Sequence, residues 1–285
     1  MIELPKNKGK SLLSEHEVIR LYLEGYSTTE IGNLSNVSSR YIRLILNKNN
    51  VEMRPVGSWK RKFEVNENFF KIWSNNMAYI LGFFMADGCI VNDQQTISFA
   101  QKEKYILEQI KEKLNSDHPI IQNPNTGVYV LNIHSKIMKS DLRSIYGITS
   151  KKSKELKFPN VPEEFISHFI RGYFDGDGYV NYKSFFVSIV GGSLKFMEEL
   201  QKVIEYHGFE TNFTSHTNHY RVYVSGRKTI KEFSDWLYRD KDLYLLRKFE
   251  EFSKEKEDVS TLKDRIKMHN NAKEARTGQS INYDR

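Results

Sequence analysis

The chain has 285 residues, of which 39% are hydrophobic, and it carries a formal net charge of +7. No apolar run reaches the roughly 18 residues of a membrane span, residues 1–10 have no apolar stretch after their charges, and Cys89 is the only cysteine. We therefore expect no membrane segment, no signal peptide, no disulfide and a small buried cysteine, in a cytoplasmic protein of a bacterial, phage or organellar host interior. The positive charge favours nucleic acid as a partner.

The first 50 residues predict a small all-α segment. Three short apolar runs at helical spacing lie within residues 14–46, separated by turns at Gly25 and at residues 36–38. Two short helices joined by a tight turn, the second opening with polar and basic residues, are typical of a helix-turn-helix, and the segment resembles those of recombinases and small regulators. A helical bundle that contacts protein is the alternative. The residues expected to face DNA are Ser38, Ser39, Arg40 and Arg43.

Residues 51–69 predict a basic linker. The segment contains Pro55 and Gly57 and has few periodic apolar positions. Basic side chains in such a segment can follow a phosphate backbone, and a solvated linker is the plainer alternative. The expected DNA contacts of the linker are Lys60, Arg61 and Lys62.

Two later segments carry nearly the same pattern. Residues 79–88 are YILGFFMADG, and residues 169–178 are FIRGYFDGDG. Each is an apolar, helix-like run with small residues four positions apart, which share one helix face and let two backbones approach closely. Glycine just past a helix end is a common stop signal, so Asp87 and Asp177 are expected in the last turns.

The two acids predict a metal site between two helix ends. An acid at the C-terminal end of a helix meets the negative end of the helix dipole. If the two helices pack side by side, Asp87 and Asp177 also approach each other, and like charges that close raise one pKa unless a cation intervenes. Oxygen ligands in an open, wet site favour Mg²⁺. A duplicated core helix with incidental Asp-Gly turns is the alternative.

Alternating segments typical of strands follow each copy of the pattern. After the first copy, the predicted strands and intervening helix are residues 89–91, 96–100, 103–114 (helix), 118–122 and 128–134. After the second copy, they are residues 179–182, 185–190, 193–206 (helix), 211–215 and 220–224. The order helix, two strands, helix, two strands, helix therefore occurs twice and predicts an α+β fold with a pseudo-twofold axis.

The two segments resemble the paired motifs of the LAGLIDADG homing endonucleases, single-chain two-repeat type. The resemblance implies two pseudo-symmetric αββαββα repeats, at residues 70–160 and 161–255, whose sheets form a saddle straddling double-stranded DNA in the major groove. It also implies a monomer with internal pseudo-twofold symmetry. In the first copy, Met85 stands where the family often has an additional acid that is not a metal ligand. Residues 256–285 lack a hydrophobic stripe and predict a polar tail.

The resemblance also implies which residues bind the catalytic metal. The last acid of each motif maps to Asp87 and Asp177. Together with the following Gly88 and Gly178, these acids are the expected ligands of Mg²⁺ or Mn²⁺.

Three further residues are candidates for catalysis. Cations near the reacting phosphate stabilise developing negative charge, and Lys152 and Lys248 lie 65 and 71 residues after the two acids. The near-equal offsets predict equivalent positions, and family members have a basic residue in each half near the scissile phosphates. Solvated surface lysines are the alternative. Gln101 lies where the family often uses a glutamine to position water or metal, with an ordinary DNA-facing polar residue as the alternative. Its counterpart in the second repeat is Gly191, so its contribution is one-sided.

Outward-facing residues of the two sheets are expected to read base edges, where Arg pairs well with guanine, and Asn or Gln with adenine. Strand register decides which residues face DNA, because a one-residue slip reverses the faces. The expected base-contacting residues are Asn92, Gln94, Ser98, Lys183, Ser188 and Arg221.

Three functions compete. The leading hypothesis is a site-specific endonuclease that cuts both strands of a long DNA target, with one active site per strand, and mobilises an intron, intein or free-standing gene. The second is a DNA-binding regulator that has lost cleavage, which the helix-turn-helix favours and the retention of both acids opposes. The third is a maturase that binds intron RNA on the same fold.

Overall fold

The computed structural model describes residues 11–54, 63–150 and 152–262, with the backbone alone at 152 and 153. The chain divides into two units, Met1–Lys62 and Phe63–Arg285, each with its own hydrophobic core. Within the described ranges, no helix is both long and apolar enough to cross a membrane.

The first unit contains three helices, as the sequence predicts. They are α1 (Glu15–Leu23), α2 (Thr28–Leu34) and α3 (Ser39–Lys48). A serine side chain accepts a backbone N–H at the start of each helix, and these caps are Ser14, Ser27 and Ser38. The α2–α3 turn requires Gly32, because a Cβ there would lie 2.8 Å from the Val37 carbonyl oxygen.

The first four residues of the predicted linker pack on these helices. Arg54 places its guanidinium 4.0 Å from the centre of the Tyr22 ring and donates to two backbone oxygens of the α1–α2 turn. Residues 51–54 therefore belong to the helical unit instead of a solvated linker. The other basic residues predicted for the linker lie within 55–62, outside the described residues, and are Lys60, Arg61 and Lys62.

The second unit repeats one order of elements. Its first half contains α4 (Asn75–Asp87), β1 (Gly88–Ile90), β2 (Thr96–Gln101), α5 (Lys104–Lys113), β3 (Ile120–Gln122), β4 (Tyr129–His134), α6 (Lys136–Ser144) and α7 (Lys152–Glu155). Its second half contains α8 (Ile166–Asp177), β5 (Gly178–Asn181), β6 (Phe186–Gly191), α9 (Leu194–Tyr206), β7 (Thr211–Ser215), β8 (Tyr220–Ser225), α10 (Arg227–Tyr238) and α11 (Leu246–Phe252). The predicted α+β order is confirmed, and each predicted strand lies within two residues of its observed bounds.

Each half folds one four-stranded antiparallel sheet, in the orders β1-β2-β4-β3 and β5-β6-β8-β7. In β2, Ile97 and Phe99 point into the core and are fully buried. Ser98 between them lies on the outer face, in register with Cys89 and Asn132. Cys89 is exposed on this outer face, so the expectation of a buried cysteine is wrong. The period of two along a strand turns it away from the core.

The predicted polar tail begins with a folded segment. Asp258 accepts the backbone N–H of Thr261 at the start of a helical turn over residues 259–262, and Leu262 is buried. The remainder of the tail, from 263, lies outside the described residues.

Candidate active site at the paired helix ends

The repeated helices α4 and α8 are in direct backbone contact. A Cβ on Gly82 would lie 2.1 Å from the Phe169 carbonyl oxygen, and a Cβ on Gly172 would lie 2.0 Å from the Tyr79 carbonyl oxygen. The two contacts are equivalent, because Phe169 and Gly172 lie 90 residues after Tyr79 and Gly82. No side chain fits at either glycine, so close helix packing offsets the roughly 1 kcal/mol that glycine costs inside a helix.

Asp87 and Asp177 end these two helices, and both are half-buried. A Cβ on Gly176, the residue before Asp177, would lie 3.3 Å from the carboxyl carbon of Asp87. Both carboxylates also act on the buried Tyr173 hydroxyl. Burial first, and then the charges of Asp177 and Asp87, hold the pKa of Tyr173 well above its usual value. The two acids singled out in the sequence therefore meet at one place.

Gly88 and Gly178 end the helices for a reason other than the expected one. Both are extended, with φ of −85° and −93°, and lead directly into β1 and β5. A Cβ on Gly88 would lie 2.2 Å from the Phe84 ring, and a Cβ on Gly178 would lie 2.1 Å from the Phe174 ring. The phenylalanine four residues earlier excludes a side chain there. Metal ligation by the two glycines stays a prediction.

Gln101 lies beside the first acid. It is the last residue of β2, and its Nε2 donates to Asp87 Oδ2 at 2.9 Å. Its Oε1 accepts the backbone N–H of Lys102 at 2.8 Å. Because the amide oxygen is already engaged, the amide nitrogen is the atom that faces Asp87.

The second half has no side chain at the equivalent position. Gly191 ends β6 as Gln101 ends β2, and it pairs with Tyr220 as Gln101 pairs with Tyr129. A Cβ on Gly191 would lie 2.8 Å from the hydroxyl oxygen of Tyr173. The tyrosine hydroxyl and the Met197 sulfur, which lies 2.6 Å from the same Cβ position, therefore occupy the space beside Gly191, and no larger residue fits there without rearrangement.

Lys248 lies in the first turn of α11, and its side chain is buried at 4% exposure. Its Nζ donates to the carbonyl oxygens of Phe174 and Asp175, at 2.5 and 2.7 Å, near the end of α8. Burial lowers the pKa of Lys248 to about 8, against the raising effect of Asp175 and, more weakly, of both site acids. The alternative of a solvated lysine is wrong for Lys248, since its ammonium is enclosed.

Lys152, the other predicted lysine, begins α7. Its side chain lies outside the described part of the chain. Its predicted equivalence with Lys248 therefore stays a prediction.

Sequence reasoning missed the role of Asp175. Its carboxylate is fully buried and accepts hydrogen bonds from the Tyr79 hydroxyl and the Leu245 backbone N–H, both at 2.8 Å. Burial raises its pKa to about 6, and the charge of Lys248 is the largest of the opposing effects. The available signal was the difference between the two motif copies, because Met85 stands at this position in the first.

The predicted base-contacting residues fall into two groups. Three are exposed in the β1–β2 and β5–β6 loops, namely Asn92, Gln94 and Lys183, and Arg221 is half-buried on the outer face of β8. Ser98 and Ser188 lie on the outer faces but are only 8% and 2% exposed. Little of either side chain is therefore accessible to a partner, and base contact by these two serines stays a prediction.

In the first unit, the hydroxyl of Ser38 accepts the backbone N–H of Tyr41 at 3.2 Å and so caps α3. Arg40 and Arg43 are exposed on the same helix, and Ser39 is half-buried. The two arginines are therefore accessible to a partner, whereas Ser38 has a structural role.

The sequence of this chain matches the model of one protein family. A sequence model described as a LAGLIDADG-like domain matches residues 74–150 and 164–236, which together exceed half of the chain. The two matched segments contain the two motif helices and all eight strands of the two sheets.

Three archaeal proteins contain similar segments. The identity is 25% over 177 residues with a probable translation initiation factor IF-2 of Methanocaldococcus jannaschii, 34% over 73 residues with elongation factor 2 of Methanopyrus kandleri, and 29% over 112 residues with RNA polymerase subunit Rpo1C of M. jannaschii. These matches cover 55%, 26% and 37% of this chain but only 14%, 6% and 13% of those proteins. The chain thus spans a small part of the length of these relatives.

Solved structures with similar folds include the homing endonuclease I-WcaI bound to its DNA recognition sequence, at 14% identity and a TM-score of 0.47, covering 72% of this chain and 96% of that one. Mesophilic variants of the homing endonuclease I-DmoI are similar at 14% identity and a TM-score of 0.45, covering 59% and 98%. Full-length DUF199/WhiA from Thermatoga maritima is similar at 15% identity and a TM-score of 0.44, covering 72% and 70%. With the family match over both repeats and the twice-repeated αββαββα order, this chain belongs to the LAGLIDADG-like domain family.

Proposed function

We propose that this protein is a site-specific, metal-dependent endonuclease that cuts both strands of double-stranded DNA. The observation that carries the proposal is the position of Asp87 and Asp177 at the ends of two helices whose backbones touch. A core helix pair needs no acid at this point, and an acid is unfavourable at a helix C-terminus. Such departures from local rules are expected at functional sites.

The residues at the helix ends fit a divalent metal that DNA helps to hold. Within the described ranges, no group of three His, Cys, Asp or Glu side chains is placed to hold a metal by itself. Mg²⁺ commonly binds one or two carboxylates together with substrate phosphates and waters. Asp87 and Asp177, with the backbone oxygens of Gly88 and Gly178, would hold Mg²⁺ or Mn²⁺. When bound, such an ion activates water and neutralises charge on the leaving oxygen.

The remaining side chains position the acids and balance their charge. Gln101 donates to one carboxylate oxygen of Asp87 and so restricts the orientation of that carboxylate. Lys248 is enclosed and makes two hydrogen bonds to backbone oxygens, so we assign it a positioning role instead of direct contact with phosphate. Its positive charge offsets the negative end of α8 and the two acids. We assign Lys152 the equivalent role in the first half, where its charge would offset the negative end of α4 and the two acids.

Target recognition is assigned to the outer faces of the sheets and to the helix-turn-helix. Phosphate contacts supply affinity and position, and base contacts supply specificity. The exposed arginines of α3, Arg40 and Arg43, suit a DNA groove, and we assign contacts with base edges to the sheet and loop residues Asn92, Gln94, Lys183 and Arg221. The protein would act as a monomer, because one chain contains both halves of the site.

A role in gene mobility agrees with where similar segments occur. They are found as small parts of a translation initiation factor, an elongation factor and an RNA polymerase subunit, which are three different proteins. A mobile segment that inserts into different genes would produce this distribution. We therefore assign the cleavage activity to the spread of a mobile element.

A non-cleaving DNA-binding regulator is the second candidate. The observation that favours it is the separate helix-turn-helix unit with its own core. That unit provides DNA binding independently of the paired acids.

The test is incubation of the full chain with a randomised or genomic DNA library and Mg²⁺, followed by sequencing of the ends. The proposal predicts one recurrent double-strand break that disappears when EDTA replaces Mg²⁺. Selective retention of DNA without breaks would instead establish the regulator. Absence of any selective DNA binding would contradict both functions and direct attention to RNA.

A further inference from the structure

One lysine of α6 holds the loop between β1 and β2. The Lys139 ammonium donates to the carbonyl oxygens of Val91, Asn92 and Gln94 at 2.6, 3.1 and 2.5 Å. A lysine ammonium has three N–H donors, so three oxygens of a single loop engage all of them. Lys139 is only 4% exposed, which makes this contact part of the fold and not a surface pairing.

The same contact sets the direction of the loop side chains. The loop covers residues 91–95, and the Val91 backbone N–H donates to the Thr96 carbonyl oxygen at 3.1 Å to close it. The carbonyl oxygens of Asn92 and Gln94 turn inward to Lys139, while both side chains are exposed. Because backbone dihedrals couple a carbonyl to its neighbouring side chains, holding the carbonyls restricts where the two amides point.

The second repeat closes its loop without such a lysine. Ile230 stands three residues after the start of α10, as Lys139 stands three residues after the start of α6. The β5–β6 loop is one residue shorter, at 182–185, and closes through its own backbone, with the Phe185 N–H donating to the Tyr182 oxygen at 3.3 Å. The buried lysine therefore belongs to the longer first loop.

We propose that Lys139 is a specificity-determining positioning residue that aims Asn92 and Gln94 at base edges near one end of the DNA target. This inference rests on the proposed function, since it assumes a sequence-selective DNA interface. Base contacts carry specificity, and phosphate contacts carry most of the affinity. Loss of Lys139 should therefore reduce discrimination at a short block of base pairs while leaving general DNA affinity nearly intact.

The experiment is selection from a randomised duplex library by the full chain in EDTA, so that DNA is bound and not cut. The proteins compared are wild type, Lys139→Met, Asn92→Ala with Gln94→Ala, and the matched control Lys136→Met on the same helix. Lys136 is exposed at the first position of α6. Thermal unfolding establishes that each variant is folded, and fluorescence anisotropy with a random-sequence duplex gives general affinity.

We expect wild type and Lys136→Met to enrich the same long sequence. Lys139→Met should lose about tenfold or more of the enrichment at one short block and change general affinity less than about twofold, in line with the discrimination of a bidentate amide–base contact. The double variant Asn92→Ala with Gln94→Ala alters only exposed loop side chains, and it should lose enrichment at the same block of base pairs.

Unchanged enrichment at this block in folded Lys139→Met would overturn the inference alone. Should Lys139→Met fail to fold, unchanged enrichment in the Asn92→Ala, Gln94→Ala variant would overturn it. A wild-type protein that enriches no sequence would overturn the proposed function, and the inference with it.

Discussion

Gln101 and Gly191 occupy equivalent positions at the ends of β2 and β6, yet only Gln101 has a side chain that reaches an acid of the candidate site. Beside Gly191, the Tyr173 hydroxyl and the Met197 sulfur occupy the available space. The two halves of the site are thus similar in backbone and different in chemistry. Because the two halves of the site differ, we expect the two DNA strands to depend on different side chains for their cutting rates.

Gln101→Ala should slow the cutting of one strand by about 10- to 100-fold, the usual effect of removing a residue that orients a metal ligand. The other strand should be cut at nearly the wild-type rate, because its half has no equivalent side chain to lose. The measurement is a time course on a duplex target with a different label on each strand. Gln201→Ala is the control, since Gln201 bonds only within the α9–β7 region. Equal slowing of both strands would contradict the asymmetry.

Gly172→Ala should destabilise the second unit by about 1–3 kcal/mol or more, the usual range for overpacking. The added Cβ would lie 2.0 Å from a backbone oxygen of α4, where neither helix can move without separating from the other. Helix propensity alone predicts the opposite sign, a gain of about 1 kcal/mol. Urea unfolding decides between the two. Tyr206→Ala, an exposed helical control, should change stability by less than about 0.5 kcal/mol.

His168 should make stability depend on pH in a defined window. Its Nδ1 accepts a hydrogen bond from Arg171 at 2.9 Å, because a guanidinium can only donate. Burial first, and then the charge of Arg171, lower the pKa of His168 from 6.5 to about 4. As pH falls from about 6.5 to 4, the unfolded chain takes up a proton that the folded chain does not, so the stability linked to His168 falls.

The check is a comparison of wild type with His168→Asn, whose side-chain oxygen replaces the Nδ1 acceptor. The unfolding free energy of wild type relative to the variant should fall by about 1.4 kcal/mol for each unit of pH lowered within this window. Asp175, with its pKa raised by burial to about 6, has the opposite slope in an overlapping range, but it is present in both proteins and cancels. Parallel curves for the two proteins would show that His168 does not stay neutral in the fold.

Arg40→Ala with Arg43→Ala should weaken DNA binding at all sequences and reduce its salt dependence. Two lost phosphate contacts correspond to a decrease of about 1.8 in the slope of log affinity against log salt. The measurement is a salt titration of binding to duplex DNA. Arg20→Ala on α1, where the arginine pairs with Glu24 on the surface, is the matched control. An unchanged slope in the double variant would show that α3 is not part of the DNA interface.

The order of elements could be predicted from sequence because it depends on local patterns. The hydrophobic period changes from helical to alternating at each Asp-Gly pair, and this change places the C-terminal ends of α4 and α8 and the bounds of β1 and β5 within a residue of those observed. The position of the two acids follows from the same pattern, since it requires only that the two equivalent helices pack together.

The parts that could not be predicted depend on contacts between distant residues. Lys248 bonds to the Phe174 carbonyl 74 residues earlier, and Tyr79 bonds to Asp175 across 96 residues. No periodic pattern in the sequence around Lys248 or Tyr79 identifies the residue that each of them contacts. The burial of Ser98 and Ser188 likewise depends on which side chains neighbouring strands place beside them. The register of the sheet determines which side chains are neighbours, and the residue type alone does not.

The most direct test of the paired acids as a catalytic site compares binding and cutting by Asp87→Asn and Asp177→Asn at the target sequence found for wild type. Asp235→Asn is the control, because Asp235 forms only a surface pair with Lys231. We expect both site variants to bind the target with near wild-type affinity and to cut it at least about a thousandfold more slowly, as expected when a metal ligand is removed, while the control is unaffected. Cutting at the wild-type rate by either site variant would contradict the claim that the paired acids form the catalytic site.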